Sequence, residues 1–403
     1  MKSDDRRELV IVGASLAGIR AARTLRAGGF GGRLTLVGDE FHAPYDRPPL
    51  SKQVLSEDSP PDTTLPVDGD LRARWLLGRR AVGLDPRAAE LVLEGGTVLP
   101  YDGLLITTGA AARGRPAGRT PPPPGVYTLR SLDDAHALRA QLTPGRRLLV
   151  VGAGFLGGEI AAAGRSRRMT VTLVEAARLP LERAVGAEAG TFVAELHREA
   201  GIDLRPLTTV EEFRTGTDGR LSGALLSDGT ALAVDVAVLA LGAVPATGWL
   251  RGSGLALDGG VLCDGRLRAR YADGSIVPGV LAAGDVARVP QPLANGEPFS
   301  LGHWSNAVGQ GITAGHNLLG TEASQTFDDV PSFWSDLHGV RIRSVGLPGT
   351  ADEVRVHEMD VRARRVEISY HRAGRLVGAL TVGRTAGLAA YRAELGRTPS
   401  AAA

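Results

Sequence analysis

Apolar runs recur along the chain with the same kind of punctuation after them. Leu9-Val10-Ile11-Val12 is a continuous apolar run of strand length, and it empties into Gly13-Ala14-Ser15-Leu16-Ala17-Gly18. The segment that follows, Ile19 to Arg26, has its apolar residues at helical spacing. The pattern predicts a strand buried on both faces, a tight turn and a helix, which is how a dinucleotide-binding fold opens. A second strand is predicted over Leu34 to Val37 and closes at Asp39-Glu40, with Asp39 lying 21 residues past Gly18. That is near the offset of about 20 at which an acid meets a ribose hydroxyl.

The same grammar returns at Leu148-Leu149-Val150-Val151, followed by Gly152-Ala153-Gly154-Phe155-Leu156-Gly157, a helix, and a strand over Val171 to Val174 closed by Glu175, 18 residues past Gly157. One glycine motif is weak evidence, but two copies, each with its acid, are hard to obtain by chance. A second correspondence supports a duplication: Gly96-Thr97, Leu99, Asp102 and Gly109 recur as Gly229-Thr230, Leu232, Asp235 and Gly242. The offset between copies is 133 residues here and 139 at the glycine loops. Each copy reads as a turn, a strand, another turn and a buried strand, Leu104 to Thr107 in one and Val236 to Leu239 in the other.

Val280-Leu281-Ala282-Ala283-Gly284-Asp285 is a third strand ending in glycine and acid, but it lacks the loop and helix that would start a third unit. It is expected to complete the first sheet, with the second unit inserted into the first. Arg113 to Gly125, with Pro116 and the run Pro121 to Pro124, reads as a stiff extended linker at that crossing. Beyond about Thr326 the pattern changes to alternating strands such as Val366 to Tyr370 and Leu376 to Val382. The expected fold is α/β: two Rossmann-like dinucleotide-binding domains, the second inserted into the first, and a C-terminal α+β domain with an antiparallel sheet. The expected domains are 1–117 and 247–327 for the first unit, 118–246 for the second and 328–403 for the tail.

Composition narrows the chemistry. The 403 residues carry 46 basic and 44 acidic side chains, a formal charge of +2, so no charge-driven nucleic-acid partner is implied. Only two of the basic residues are lysines, Lys2 and Lys52, which singles out Lys52. The one cysteine, Cys263, cannot form an internal disulfide, a redox pair or a thiolate metal cage, and the eight histidines show no metal-ligand spacing. Met1 to Glu8 is polar, and the longest apolar run, Ala231 to Leu250, is broken by Asp235, Gly242 and Pro245. No signal peptide or membrane span is therefore expected, and the cytoplasm is the default location.

The helix start after each glycine loop offers free N–H groups and a partial positive charge suited to a pyrophosphate. In the first loop the central position is Ser15, which departs from strict glycine but can donate a hydrogen bond. The structural alternative, a loop that merely packs helix on strand, stays open at both sites. Two adjacent dinucleotides suggest that one passes electrons to the other: nicotinamide gives a hydride, and flavin accepts two electrons but releases them singly. Glu175 favours the free ribose diol of NADH over the 2′-phosphate of NADPH, although Arg178 stands close in sequence.

At Pro44-Tyr45-Asp46-Arg47-Pro48-Pro49-Leu50-Ser51-Lys52 the chain takes on a family likeness. Further motifs carry it, among them Thr107-Thr108-Gly109, Leu129 to Asp134, Ala283-Gly284-Asp285, His303 to Ala307 and Phe333-Trp334-Ser335-Asp336. With them, nearly the whole sequence resembles the FAD-dependent NADH:ferredoxin reductases of bacterial haem monooxygenases and ring-hydroxylating dioxygenases. The resemblance implies that Ser15, Leu16, Ala17 and Gly18 hold the FAD pyrophosphate, with Asp39 or Glu40 on its ribose and Val82 by the adenine. Arg47 and Lys52 would reach the flavin, where a cation stabilises the anionic reduced form. Thr108, Gly109 and Arg130 would line flavin and diphosphate, Asp285 the ribityl chain, Trp304 and Ala307 the pyrimidine end of the ring, and Trp334 would approach from the tail. Both tryptophans also suit a plain core role. Family members often carry an acid just before His303, where this chain has Gly302.

On the nicotinamide side the resemblance points to Gly154, Leu156, Glu159, Glu175 and Gly242, with Arg183 near the adenosine. Glu159, two residues past Gly157, is expected in the first helical turn, where it would orient the nicotinamide amide or simply complement the helix dipole. The implied activity is hydride transfer from NADH to FAD, then single electrons to an iron–sulfur ferredoxin. Arginine-rich stretches at Arg72 to Arg80 and Arg362 to Arg365 could steer an acidic partner. A monomer is compatible with such a transient partner. Two alternatives stay open, an NADH-responsive flavoprotein scaffold of the apoptosis-inducing-factor type and an NADH:quinone reductase. The second would want a basic amphipathic face that Gly387 to Ala403 does not provide.

Overall fold

The computed structural model describes residues 5–67, 69–114, 122–320 and 324–397. The apolar runs become the central strands of two sheets, the second parallel throughout and the first parallel but for its edge strand Arg268–Arg270. In the first, Glu8–Val12 lies parallel to Arg33–Val37 on one side and Gly103–Ile106 on the other, and Leu9 to Val12 are buried. Ile276–Ala282 then joins parallel to Gly103–Ile106, so a strand from beyond the second unit completes the first sheet. The insertion expected from Val280 to Asp285 is thus present in the topology. The second sheet runs Asp203–Arg205, Thr170–Val174, Arg147–Val151, Val236–Leu239, Val126–Tyr127, all parallel.

The duplicated signature has a mechanical meaning. Asp102 accepts a hydrogen bond from the N–H of Glu8 at 2.6 Å, and Asp235 accepts one from Arg147 at 2.8 Å. Glu8 and Arg147 are the first residues of the two central strands. Each aspartate therefore clamps the start of its sheet, where an edge N–H would otherwise lack a partner.

The chain crosses between the units through a two-stranded antiparallel ribbon, Ala110–Ala112 against Ala243–Pro245. Residues 115–121 of the proline-rich linker expected over Arg113 to Gly125, with Pro116 and Pro121, and the expected boundary between residues 117 and 118 lie outside the described residues.

The tail is a five-stranded antiparallel sheet in the order Ser332–Leu337, Val340–Gly346, Arg375–Val382, Arg365–Arg372, Glu353–Asp360. Alternation sets its faces. Val366, Ile368 and Tyr370 pack toward helix Glu182–Glu199 of the second unit, where the Tyr370 hydroxyl donates to the Val185 carbonyl at 2.6 Å. The last helix, Thr385–Gly396, packs on strands of this sheet.

Helix Trp304–Leu318 packs against Leu16–Ala27 at very short range, because a Cβ at Gly311 would stand 2.5 Å from the Ala17 carbonyl. Among the described residues no helix is long and apolar enough to cross a membrane, and no group of three or more His, Cys, Asp or Glu could hold a metal ion.

Candidate functional site

The two glycine loops divide their labour by position. A Cβ at Gly13 would stand 2.1 Å from the Thr107 carbonyl, and its φ of +120° is one that side chains resist. A Cβ at Gly18 would meet the Gly13 carbonyl at 2.2 Å. The second loop repeats this, with Gly152 at 2.5 Å from the Ala240 carbonyl and Gly157 at 1.9 Å from that of Gly152. Gly18 and Gly157 therefore let helix close on strand. The middle positions, Ser15 and Gly154, are the N-caps of helices Leu16–Ala27 and Phe155–Ser166, and neither makes a side-chain capping bond. No acid occupies either first turn, so the positive end of each helix is left for another anion.

Two adjoining cavities form a trough across the first loop, sharing Ser15, Tyr45, Arg47, Thr107 and Thr108. The outer one, about 270 Å³, is bounded by Gly13, Asp39, Glu40, Ala81 and Trp249. The inner one, about 320 Å³, takes Leu16, Ala17, Lys52 and Gly109 on one side and Gly284, Asp285, Trp304 and Ala307 on the other. Arg130 and Trp334 also face it. The second unit contributes Phe155, Leu156 and Glu159 to the same inner wall, so residues expected to serve two different dinucleotides meet in one space.

One expectation needs correction, the place of Glu159 in its helix, and three expected residues stand outside the trough walls. Val82 does not line the trough. It is 45% exposed on strand Ala81–Asp85, and its neighbour Ala81 lines the cavity instead, as strand alternation requires. Arg183 is exposed near the start of helix Glu182–Glu199, and Gly242 sits at the mouth of the crossing ribbon with φ +95°; both were expected on the nicotinamide side, and neither lines the trough. Glu159 is not in the first turn of its helix, which begins at Phe155, and it answers a lysine rather than the dipole.

The charged groups of the trough pair with one another. Arg47 forms an ion pair with Glu40 at 2.7 Å and donates to the Tyr45 hydroxyl and the Arg130 carbonyl at 3.0 and 2.6 Å. Tyr45 in turn donates to Glu40 at 2.5 Å, and burial pushes its phenol up. Arg130 pairs with Asp285 at 2.7 Å.

The most buried pair is Lys52 with Glu159, 2.8 Å apart and 13% and 6% exposed. Glu159 also accepts from Ser51 at 2.5 Å and from Ser335 of the tail at 2.6 Å. Three domains thus converge on one carboxylate.

At the second loop, the Glu175 carboxylate accepts from the backbone N–H groups of Ala153 and Ala177 at 2.7 and 2.8 Å, which holds it at the strand end beside the glycine turn. Arg178 is occupied with Glu182 at 3.4 Å.

A family model for pyridine nucleotide-disulphide oxidoreductases matches residues 7–311, and one for reductase C-terminal domains matches residues 332–403. The chain belongs to the pyridine nucleotide-disulphide oxidoreductase family. It is similar to the ferredoxin–NAD(+) reductase component of the biphenyl dioxygenase system of Paraburkholderia xenovorans, 36% identical over 84% of this chain and 80% of the relative. Human apoptosis-inducing factor 3 is 34% identical over 86% of this chain and 56% of its own length. Among solved structures, the covalent putidaredoxin reductase–putidaredoxin complex matches with a TM-score of 0.90 and 28% identity, covering 98% of this chain and 94% of that one.

As a member of this family the protein is an oxidoreductase with FAD and a pyridine nucleotide as cofactors. The residues present fit that requirement. Three buried side-chain nitrogens without partners, Trp249 Nε1, Arg130 Nε and His303 Nδ1, all belong to trough-lining residues. A run of unpaired nitrogens beside uncapped helix starts suits a ligand rich in oxygen acceptors. The family name speaks of disulphides, but Cys263 is 1% exposed and outside the trough, and burial pushes its thiol up. It is a core residue, bridged to Ala269.

Sequence reasoning passed over several residues here. Trp249, Phe155, His303, Phe333 and Ser335 were assigned no role, yet the first four line the trough and Ser335 touches Glu159. His303 packs its ring on Phe333 at 5.0 Å, and burial lowers its pKa against the pull of Asp285. Gly302 also has a local rationale: a side chain there would begin 3.9 Å from the Asp285 carboxyl, where an acid would meet a like charge.

Proposed function

We propose that this protein is an NADH-dependent, FAD-containing ferredoxin reductase that supplies single electrons to an iron–sulfur ferredoxin serving a bacterial haem monooxygenase or a ring-hydroxylating dioxygenase. The observation that carries this reading is the inner cavity. It joins walls from both nucleotide-binding units and the tail, and no thiol faces it. Bound flavin would take up the two electrons and hydrogen of a hydride from NADH, leaving NAD+, and give the electrons up one at a time. With no disulphide to receive them, the electrons must leave to an external acceptor. The names of the biphenyl dioxygenase component and of the putidaredoxin complex support a ferredoxin as that acceptor.

In this reading the chain's residues position and tune. The helix start at Ser15, with Arg130, holds the pyrophosphate, and Asp39 and Glu40 stand where a ribose would lie. Lys52 places a cation at the reacting end, offset by Glu159. Phe155, Leu156 and Glu159 bound the side from which a nicotinamide would approach, and catalysis rests on alignment. Glu175, held toward the glycine turn, supports NADH over NADPH, and the cytoplasm is the matching compartment.

Rapid anaerobic mixing with NADH tests this. The flavin band should bleach within the turnover time and return on adding a [2Fe–2S] ferredoxin. A preparation that NADH leaves coloured, or that reduces no ferredoxin, overturns it. The similarity to apoptosis-inducing factor 3 favours a second reading, an NADH-responsive scaffold. A long-lived reduced complex with NAD+ and slow delivery to every ferredoxin tried would select that reading.

A further inference from the structure

We propose that Ser335, on the first strand of the C-terminal domain, is a positioning residue for the hydride-transfer step, fixing the Glu159 carboxylate against Lys52. The inference rests on the NADH-to-flavin reading above and adds a domain to it, because it gives the tail a part in the reductive half-reaction.

The geometry is specific. Phe333 and Ser335 are two residues apart on strand Ser332–Leu337 and share a face, as Phe155 and Glu159 do four residues apart on helix Phe155–Ser166. Two strand residues advance about 6.8 Å and four helix residues about 6 Å, so the two faces run in step. They meet in register: the Phe333 and Phe155 rings lie 4.7 Å apart, and Ser335 Oγ donates to Glu159 Oε1 at 2.6 Å. The aromatic contact sets the distance at one end. The hydroxyl reads the carboxylate at the other.

Ser335 is 0% exposed and Glu159 6%, so no water stands in for the hydroxyl. On Oε1 the carboxylate has two donors, Lys52 Nζ and Ser335 Oγ, and on Oε2 it has Ser51. Ser51 and Lys52 are consecutive residues at the junction of the short helical turns Pro48–Ser51 and Gln53–Ser56, whereas Ser335 comes from another domain. Without it, the donors that remain on the carboxylate come from that one segment. With it, the carboxylate is held from two sides, and the ammonium is held with it.

The test uses the holoprotein with Ser335→Ala, Ser335→Thr and Ser335→Cys. Stopped-flow bleaching by NADH, reoxidation of pre-reduced flavin by ferricyanide, and the flavin midpoint potential are measured for each. The alanine variant should bleach about tenfold more slowly, the loss expected when a charge-assisted hydrogen bond that aligns a reacting group is removed. Its reoxidation should stay within about twofold of wild type, as expected when only the hydride step is affected. Its midpoint potential should rise, because a loosened carboxylate offsets less of the Lys52 charge. Threonine, which keeps the hydroxyl, should restore rate and potential. Cysteine, a weaker donor of similar size, should fall between, and it reads the hydrogen bond even where the alanine variant does not retain flavin. Bleaching and potential unchanged in the alanine or the cysteine variant would overturn the proposal, as would equal slowing of both half-reactions, which marks a packing role. Failure of the underlying reading looks different: wild type itself would not bleach.

Discussion

The seam between the second nucleotide-binding domain and the tail should fail in mild acid, and the cause is a pair of imidazoles. His197, on helix Glu182–Glu199, and His338, in the turn after strand Ser332–Leu337, place Nδ1 and Nε2 2.9 Å apart with rings nearly perpendicular at 89°. One ring must donate and the other accept, so the accepting ring must be neutral, and protonating both rings breaks the bond. Burial lowers His197 from 6.5 to about 3, with His338 adding to the effect. Burial lowers His338 to about 4, helped by Arg364 and Arg165. An unfolded histidine titrates at its ordinary value. Between about pH 6.5 and pH 4 the unfolded chain therefore binds protons that the folded seam refuses, and stability falls as pH falls through that window. At pH 5, about 1.5 pH units below the ordinary value, His197 alone accounts for about 2 kcal/mol, and the more exposed His338 adds less.

The check is calorimetry between pH 8 and pH 5 at constant ionic strength, on wild type and on the double variant His197→Gln, His338→Asn. The amides can still bond to each other but cannot titrate, and asparagine tolerates the φ of +51° that His338 adopts. Other groups titrate in both proteins, so the quantity of interest is the difference. Between pH 7.5 and 5 the wild-type midpoint should fall by about 2 to 4 °C more than the variant's. Parallel curves would refute the reasoning, since they would mean that the imidazoles take up protons in the folded state without cost.

Three further perturbations address the trough and its neighbours. Gly157→Ala puts a methyl 1.9 Å from the Gly152 carbonyl, so NADH should no longer bleach the flavin while flavin content holds; Gly18→Ala, at 2.2 Å from Gly13, should instead empty the flavin site. Lys52→Met leaves Glu159 buried without its cation, which should cost about 3 to 5 kcal/mol in unfolding measurements and lower the flavin potential. Glu175→Ala removes the acceptor beside the glycine turn, and the ratio of kcat/KM for NADH over NADPH should fall about tenfold, the value of one charge-assisted hydrogen bond. An unchanged ratio would place the discrimination elsewhere.

What the sequence made legible follows from how its signals are encoded. The glycine loops, their acids and the paired Gly-Thr-Leu-Asp signature are local patterns, and the backbone geometry at Gly13, Gly157, Asp102 and Asp235 is the direct consequence of those patterns. The insertion was legible for the same reason, since Val280 to Asp285 has the strand of a unit without its loop. Contacts made across domains leave no such trace. Nothing near Ser335 in sequence announces that Glu159 lies 2.6 Å away, because residues 176 positions apart meet only after three domains have folded against one another. Val82 shows a smaller effect: it lies one residue from Ala81, which lines the outer cavity, and alternation turns that single step into the opposite face. The trough is therefore readable where one chain segment builds it. It is hidden where the segments converge: Lys52 and Glu159 each stand out in the sequence, but their pairing does not, nor does the Ser335 contact that fastens this most buried ion pair of the site from the domain farthest along the chain.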